Sequence, residues 1–502
     1  MTLSCPGMSA TGESRIAEEP RSISWSFHEP AAAALLVVSF FVLRTTGLGA
    51  PLPEAWAALA AAVALVSPLA GLLTAVALGP FDDWSVLGTE AGGRAVLVAA
   101  VAVSVAARAL PGAVGQWRGR RITLRTPAGI AVAAAIVVLI GTGLGVIHTA
   151  VRFGPTTGYQ AAQLWATGTG MALVVLLIGV WFGRCGELRP GLVAGTAAAV
   201  AVSIGLLYIA RPELIVSSPL GWLIVVDEER LRLAGIMSAP NSMAMLALLP
   251  SCLLAAWLLH RRSLPAWLAG SAVLAVLALG VLLTYSRSAV LAVAAVAVSY
   301  AWYVRRAAAI AVLLVAVVCA AVLVELYVDQ RAESPLPGAG TTFQEFFTVG
   351  DSVRTAGWAA ALRMTLDSPL VGQGFRSYVV LHEQFGDAAQ TAPHNEWLRL
   401  YAEQGLIVGT AGLVFLLTAL TALWRIRGSL GLGAFGVLLA YAIMASFNNP
   451  LNYAQLNIPA FTVLGTALGL ALRGGTADRL TEPVAVSDPV AGGPRGSSEA
   501  GS

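Results

Sequence analysis

Apolar residues run through this chain in long blocks, at 31–43, 55–79, 95–110, 127–149, 161–183, 190–210, 236–259, 265–283, 288–304, 307–326, 403–423, 429–447 and 455–472. A helix rises 1.5 Å per residue, so about 20 apolar residues cross the hydrocarbon core of a bilayer. The pattern predicts an all-α, polytopic integral membrane protein of 12–14 transmembrane helices, the range reflecting the short first block and Ser67-Pro68, which can divide 55–79 into two short helices. Residues 1–29 and 473–502 are rich in Ser, Pro, Gly and charge without periodicity and read as disordered tails. Between them the expected organisation is an N-terminal transmembrane bundle over 30–229, a second region over 230–450 that includes a long loop at 327–393, and a last transmembrane helix at 451–472.

Composition sharpens this reading. Hydrophobic residues make up 57% of the 502 and charged residues 11%, and the mean hydropathy is +0.77. A soluble domain carries roughly 25% charged residues, so an ordinary soluble enzyme is excluded. The net charge of +3 comes without a single lysine, and nothing in it points to nucleic acid. Arginines collect in alternate loops (Arg108 to Arg125, Arg184 and Arg189, Arg261 and Arg262, Arg305 and Arg306, Arg425 and Arg427), which the positive-inside rule assigns to the cytoplasm. The remaining loops, 327–393 among them, then face the exterior or periplasm, in a cytoplasmic (inner) membrane.

A loop as long as 327–393 is uncommon unless it has a task or is disordered. Its pattern predicts order. Asp351 or Ser352 can cap a helix that carries Val353, Trp358, Leu362 and Leu366 and stops before Pro369. Gly372-Gln373-Gly374 predicts a turn, a second short helix is expected over Arg376 to Phe385, and Pro393 precedes His394-Asn395, which opens the next helix. The apolar sides of these short amphipathic helices are expected to lie along the membrane surface.

The chemistry-bearing residues fall at that same boundary. Arg232 stands in Arg232-Leu-Ala-Gly235 before Pro240-Asn241, Arg287 in the Ser286-Arg287 turn, and Arg354 in the first turn of the loop helix, where the helix dipole disfavours a cation. Guanidinium groups present paired donors that match phosphate oxygens, so arginines around one cavity would hold a diphosphate. Singly, each is more simply read as a lipid-headgroup contact or the partner of an acid such as Asp227, Glu228 or Asp351, and the case for a shared task rests on their convergence. His394 is the best candidate base, because neutral imidazole accepts a proton near neutral pH; a surface or capping histidine is the plainer alternative. His28, His148, His260 and His382 have no comparable setting. Without lysine there is no P-loop, no H-E-x-x-H or His-Cys cluster offers a metal site, the four cysteines stand singly, and Asp82-Asp83 is a weak cation candidate. No cofactor is expected.

Taken in order, Arg232-x-x-Gly235 with Pro240-Asn241, Ser286-Arg287, Arg354 through Asp367-Ser-Pro369-Leu-Val-Gly372-Gln-Gly374-Phe375, and His394-Asn395 with Glu403-Gln-Gly405 resemble the landmarks of the O-antigen ligase and O-antigen polymerase family over roughly 230–450. One departure is visible, since the family's second glycine is here Val408, with Gly409 one position later. The resemblance implies a fold like that of the type C membrane glycosyltransferases. It implies metal-free transfer of a glycan from a polyprenyl diphosphate carrier to a glycan, lipid or protein acceptor, among membrane lipids. It implies Arg232, Arg354 and His394 as catalytic residues, and places Arg287, Asn241, Asn395 and Arg376 as substrate-binding candidates. A transporter or flippase of lipid-linked glycans is the alternative; the chain shows no internal repeat of the kind transporters carry. A scaffold subunit is a third possibility.

Overall fold

The computed structural model describes residues 28–46, 52–78, 92–115, 126–185, 225–227, 232–235, 240–261, 263–284, 286–304, 351–387, 392–426 and 428–473. The apolar blocks at 190–210 and 307–326, Asp82-Asp83 and nearly all of both tails lie outside the described residues. The other eleven blocks are helices. In chain order these are α1 (His28–Thr46), α2 (Leu52–Val66), α3 (Pro68–Leu78), α4 (Gly92–Gly115), α5 (Pro127–Phe153), α6 (Pro155–Thr167) and α7 (Thr169–Cys185). After a two-stranded ribbon come α8 (Pro240–Leu259), α9 (Leu264–Leu283), α10 (Arg287–Val304), α11 (Asp351–Asp367), the short α12 (Ser377–Leu381), α13 (Glu396–Arg425), α14 (Ser429–Ala445), a 3₁₀ turn (Pro450–Asn452) and α15 (Ala454–Leu472). Six of the described helical stretches are long and apolar enough to cross a membrane: Pro127–Phe153, Pro155–Cys185, Asn241–Leu259, Leu264–Leu282, Arg287–Val304 and Glu396–Arg425. The chain is an all-α, polytopic membrane protein.

Local chemistry sets the ends. Thr126 caps α5 by accepting Gly129 N–H at 3.1 Å, Pro127 supplies the preset φ of a first helical residue, and Gly154 closes the helix at φ 91° before Pro155 opens α6. The 55–79 block divides at Ser67, whose hydroxyl accepts Ala70 N–H at 3.3 Å, and the 161–183 block divides at Gly168. The apolar pattern did not predict the ribbon. In it β1 (Val225–Asp227) and β2 (Arg232–Gly235) pair antiparallel, with Asp227 opposite Arg232, and β2 packs on α8 and α9.

Lipid replaces water as the outer solvent. On α5, Ile140, Leu144, Ile147 and Val151 are exposed by 57–81%, one apolar stripe at helical spacing. The opposite face turns Gly141 and Gly145 to α13, where Val408 and Gln404 fill the space. Helices in lipid gain little from burying leucine and pack instead through small residues that let backbones approach. The α7–α15 pair shows this most fully. Gly179 and Gly183 on α7 meet Gly465 and Gly469 on α15, and a side chain at Gly183 or Gly465 would collide with the carbonyl of Thr466 or Leu176. Elsewhere α8 packs on α14 and α14 on α10, with Tyr300 Oη donating to Cys252 O at 3.0 Å.

Candidate functional site

The polar machinery gathers where α13 begins. Asn395 caps α13, its Oδ1 accepting Leu398 N–H at 3.1 Å. Within two turns, Glu396, Arg399 and Glu403 form a buried ion group. Arg399 pairs with Glu396 and donates to Glu403 Oε2 at 3.1 Å, while its guanidinium stands 5.6 Å from the Phe375 ring. Glu396 Oε2 accepts Leu451 N–H at 3.3 Å, tying in the 3₁₀ turn, and Glu403 accepts the backbone N–H groups of Arg376 and Tyr378. Buried charges persist only when paired and hydrogen-bonded, and these are.

At Gly405 the helix breaks. Its φ of 74° is left-handed, and a side chain there would collide with Leu370 O. The break frees backbone groups that a helix would keep, and the loop after α11 takes them up. Gln373 N–H donates to Ala402 O at 3.1 Å, Gly374 N–H to Glu403 O at 2.8 Å, and Leu406 N–H to Pro369 O at 2.7 Å. The same loop reaches α5, since Phe375 N–H donates to Gly145 O at 3.1 Å and Thr149 Oγ1 donates to Phe375 O at 2.7 Å. Thus Gly372-Gln-Gly374 and Glu403-Gln-Gly405, distant in sequence, are two halves of one joint. Val408, the departure from the family pattern, packs against Gly141, and Gly409 makes room for the Tyr401 ring.

The joint holds α11 and α12 on α13. Ala360, Ala361 and Met364 of α11 bury against Tyr378, Leu381 and Ala402, leaving Leu362, Leu366, Leu370 and Val371 outward beside the exposed Leu406 and Ile407 of α13. The second helix is shorter than the Arg376 to Phe385 the sequence predicts, covering Ser377–Leu381 with the rest in turns.

Among the described residues, two non-glycines have a left-handed backbone, Arg376 (φ 66°) and His394 (φ 49°), and both are sequence-derived candidates. Such strain is retained where surrounding contacts over-determine it. His394 sits half-buried ahead of α13. Burial lowers its pKa below the ordinary histidine value, and the Arg354 cation lowers it further; the Asp387 charge and a hydrogen bond with the Asn448 side chain oppose this. The imidazole is therefore neutral at neutral pH and able to accept a proton.

Arg354 is thus coupled to His394, and Asn395 adjoins it. Helix pairing brings Asn241 at the start of α8 and Arg287 at the start of α10 to the same end, because α8 and α10 pack on α14 by their later turns while Asn448, beyond the C-terminus of α14, meets His394. Arg232 opens β2 next to α8; its side chain lies outside the described residues.

Several polar residues escaped sequence reasoning. His382, which showed no special setting in the sequence, is buried, stacks on Tyr378 with centroids 6.1 Å apart, and has Nδ1 2.5 Å from Asp387 O. Tyr378 Oη donates to Asp387 Oδ2 at 2.7 Å. Asn448-Asn449, between two apolar helices, carried a readable signal as polar residues in an apolar run; Asp387 carried none. Among the described residues, Trp358 Nε1 and Asn449 Oδ1 are buried and have no hydrogen-bond partner. Among the described residues no three His, Cys, Asp or Glu side chains gather to hold a metal ion.

Fold and site define a multi-pass membrane protein with a polar centre built where a loop joint meets a broken helix. Residues 272–414 match the family model described as O-antigen ligase, so this part of the chain is similar to that family. The match is narrower than the resemblance drawn from motifs. It holds Arg287, Arg354, Arg376, His394 and Asn395, and leaves Arg232, Asn241 and Asn448 outside. No curated protein matches the chain. The family supports a glycosyl-transferring enzyme of polysaccharide biosynthesis that acts in the membrane.

Proposed function

We propose that this protein transfers a glycan from a polyprenyl diphosphate carrier to an acceptor hydroxyl on the external face of the cytoplasmic membrane, with inversion and without a metal. The carrying observation is His394, half-buried in a left-handed conformation with its pKa lowered by burial and by Arg354. In this reading Arg354 and Arg232 bind the diphosphate, Arg287 adds positive charge at the same end, and Arg376, Asn241 and Asn395 line the substrate path. The acceptor oxygen forms a bond to the anomeric carbon while the bond from that carbon to the phosphate oxygen breaks. The electron pair leaves with the diphosphate, whose charge the arginines stabilise, and the hydroxyl proton passes to His394. A diphosphate beside Arg354 also offsets the charge that weakens His394, so the base gains strength once the donor is loaded.

The test is an in vitro reaction of the detergent-solubilised protein with a polyprenyl diphosphate-linked oligosaccharide and candidate glycan, lipid and peptide acceptors. EDTA-resistant product is expected, and His394→Ala is expected to lower turnover by about 10²- to 10⁴-fold while the protein stays monodisperse. Full activity in that variant overturns the role of His394. Donor binding with no product across all acceptors, the donor included, moves the assignment to a flippase of lipid-linked glycans.

A further inference from the structure

Asp387 is fully buried in the loop after α12, and its place is fixed on several sides. Its N–H donates to His382 O at 2.9 Å, its carbonyl meets His382 Nδ1, and its Oδ2 accepts the Tyr378 hydroxyl at 2.7 Å. Gly357 on α11 supplies the space. The point where a Cβ would stand on Gly357 is 3.2 Å from Asp387 Oδ2 and 3.3 Å from both Tyr378 Oη and Pro393 Cα. The carboxylate and Pro393, the residue before His394, therefore close on the same spot over Gly357, where any side chain would crowd both. Burying a carboxylate is costly unless the site gains from its charge.

We propose that Asp387, anchored by Tyr378 against Gly357, is the positioning residue whose charge acts on His394, balancing the positive charge of the imidazole as it takes the acceptor proton. This rests on the transfer reading given above. When the acceptor oxygen bonds to the anomeric carbon and the diphosphate leaves with the electron pair, the hydroxyl proton moves to His394 and an imidazolium forms. Among the described residues, the groups that act electrostatically on His394 are Arg354 from α11 and Asp387, with Asn448 as a neutral partner from the turn after α14. Glu396 on its own helix is engaged by Arg399, and Asp387 itself meets Tyr378 and His382. Burial is the largest influence and weakens the base; beyond it Arg354 opposes the imidazolium and Asp387 favours it.

The experiment uses the full-length protein in detergent and reads His394 in two ways, by the pH profile of turnover and by the pH dependence of its acylation with diethyl pyrocarbonate, followed on the His394 peptide by mass spectrometry. The reagent attacks neutral imidazole, so the midpoint reports His394 without any need for turnover. Asp387→Asn keeps the shape and an acceptor for Tyr378 while removing the charge. It is expected to lower the acylation midpoint by about one pH unit and kcat by about tenfold, with KM for the donor little changed; Asp387→Glu is expected to restore the midpoint. Tyr378→Phe, which keeps the ring and the Asp387 charge, is expected to lower kcat at unchanged KM and carries the test if the asparagine variant fails to fold. An unmoved His394 midpoint in folded Asp387→Asn, or unchanged kcat in Tyr378→Phe, overturns the proposal. Absence of product from the wild-type protein with every acceptor overturns the transfer reading instead, and the midpoint comparison still decides whether Asp387 acts on His394.

Discussion

The α7–α15 and α5–α13 pairs solve opposite problems. Both use glycines to bring two backbones close. In α7–α15 the glycines stand four apart on each helix, neither helix breaks at them, and the contact is backbone on backbone along the seam. In α5–α13 one helix is broken at Gly405, its released carbonyls and N–H are bonded by a loop, and three charged side chains lie buried in the turns above the break. The first pair is a seam that lipid and packing hold closed. The second gives up helical hydrogen bonds to create a rigid platform on which Arg376 and His394 can keep left-handed backbones. Membrane helices tolerate such breaks only where protein satisfies the freed groups, and here the loop does so.

The comparison can be broken at either pair. The largest expected effect is at the platform. Arg399→Leu leaves two carboxylates buried without their cation and is expected to cost about 3–5 kcal/mol, seen as a large drop in thermal unfolding temperature of the solubilised protein. At the seam, Gly183→Leu forces α7 off the Thr466 carbonyl and is expected to cost about 1–3 kcal/mol, with turnover per folded molecule unchanged. Gly405→Ala is expected to cost about 1–3 kcal/mol, the penalty of a side chain in a backbone conformation that glycine alone adopts readily, with the collision at Leu370 O added to it, and to lower turnover as well, because the loop joint moves with it. Equal turnover loss in the seam and break variants, once corrected for folded protein, would erase the distinction. The smallest effects are titrations. Because the active form of His394 is neutral and its pKa is lowered, kcat/KM is expected to rise with pH through a midpoint below the ordinary value of about 6.5 and then level off. Arg354→Gln removes a charge that lowers that pKa, so the acylation midpoint of His394 is expected to rise by about half a unit to one unit, opposite in sign to Asp387→Asn.

Much of this was readable in advance. The eleven described apolar blocks became helices, the helix from Asp351 stopped before Pro369, and Pro393 preceded the helix that His394-Asn395 opens. These features follow from residues near one another in the chain: apolar run length, proline, a capping side chain. The ordered landmarks pointed to the O-antigen ligase family, and 272–414 matches it. Other features were not readable. The Gly179-x-x-x-Gly183 and Gly465-x-x-x-Gly469 spacings stand in the sequence, but many glycines do in so glycine-rich a chain, and only the contact between them selects these four. Asp387, Tyr378 and His382 have no pattern at all; they acquire one another through a loop folded back on α11 and α13.

Run length, proline and capping residues mark a membrane chain, where most of its helices run, and which residue types gather toward one boundary, because hydropathy and helix-stop signals act over a few residues. Packing of the helices brings Arg354, Asp387 and Asn448 to act on His394, and pairs Glu403 of the Glu403-Gln-Gly405 stretch with Arg399 and the loop backbone. Charges and hydrogen bonds act over a few ångströms, and closeness between residues far apart in the chain arises only when the helices pack.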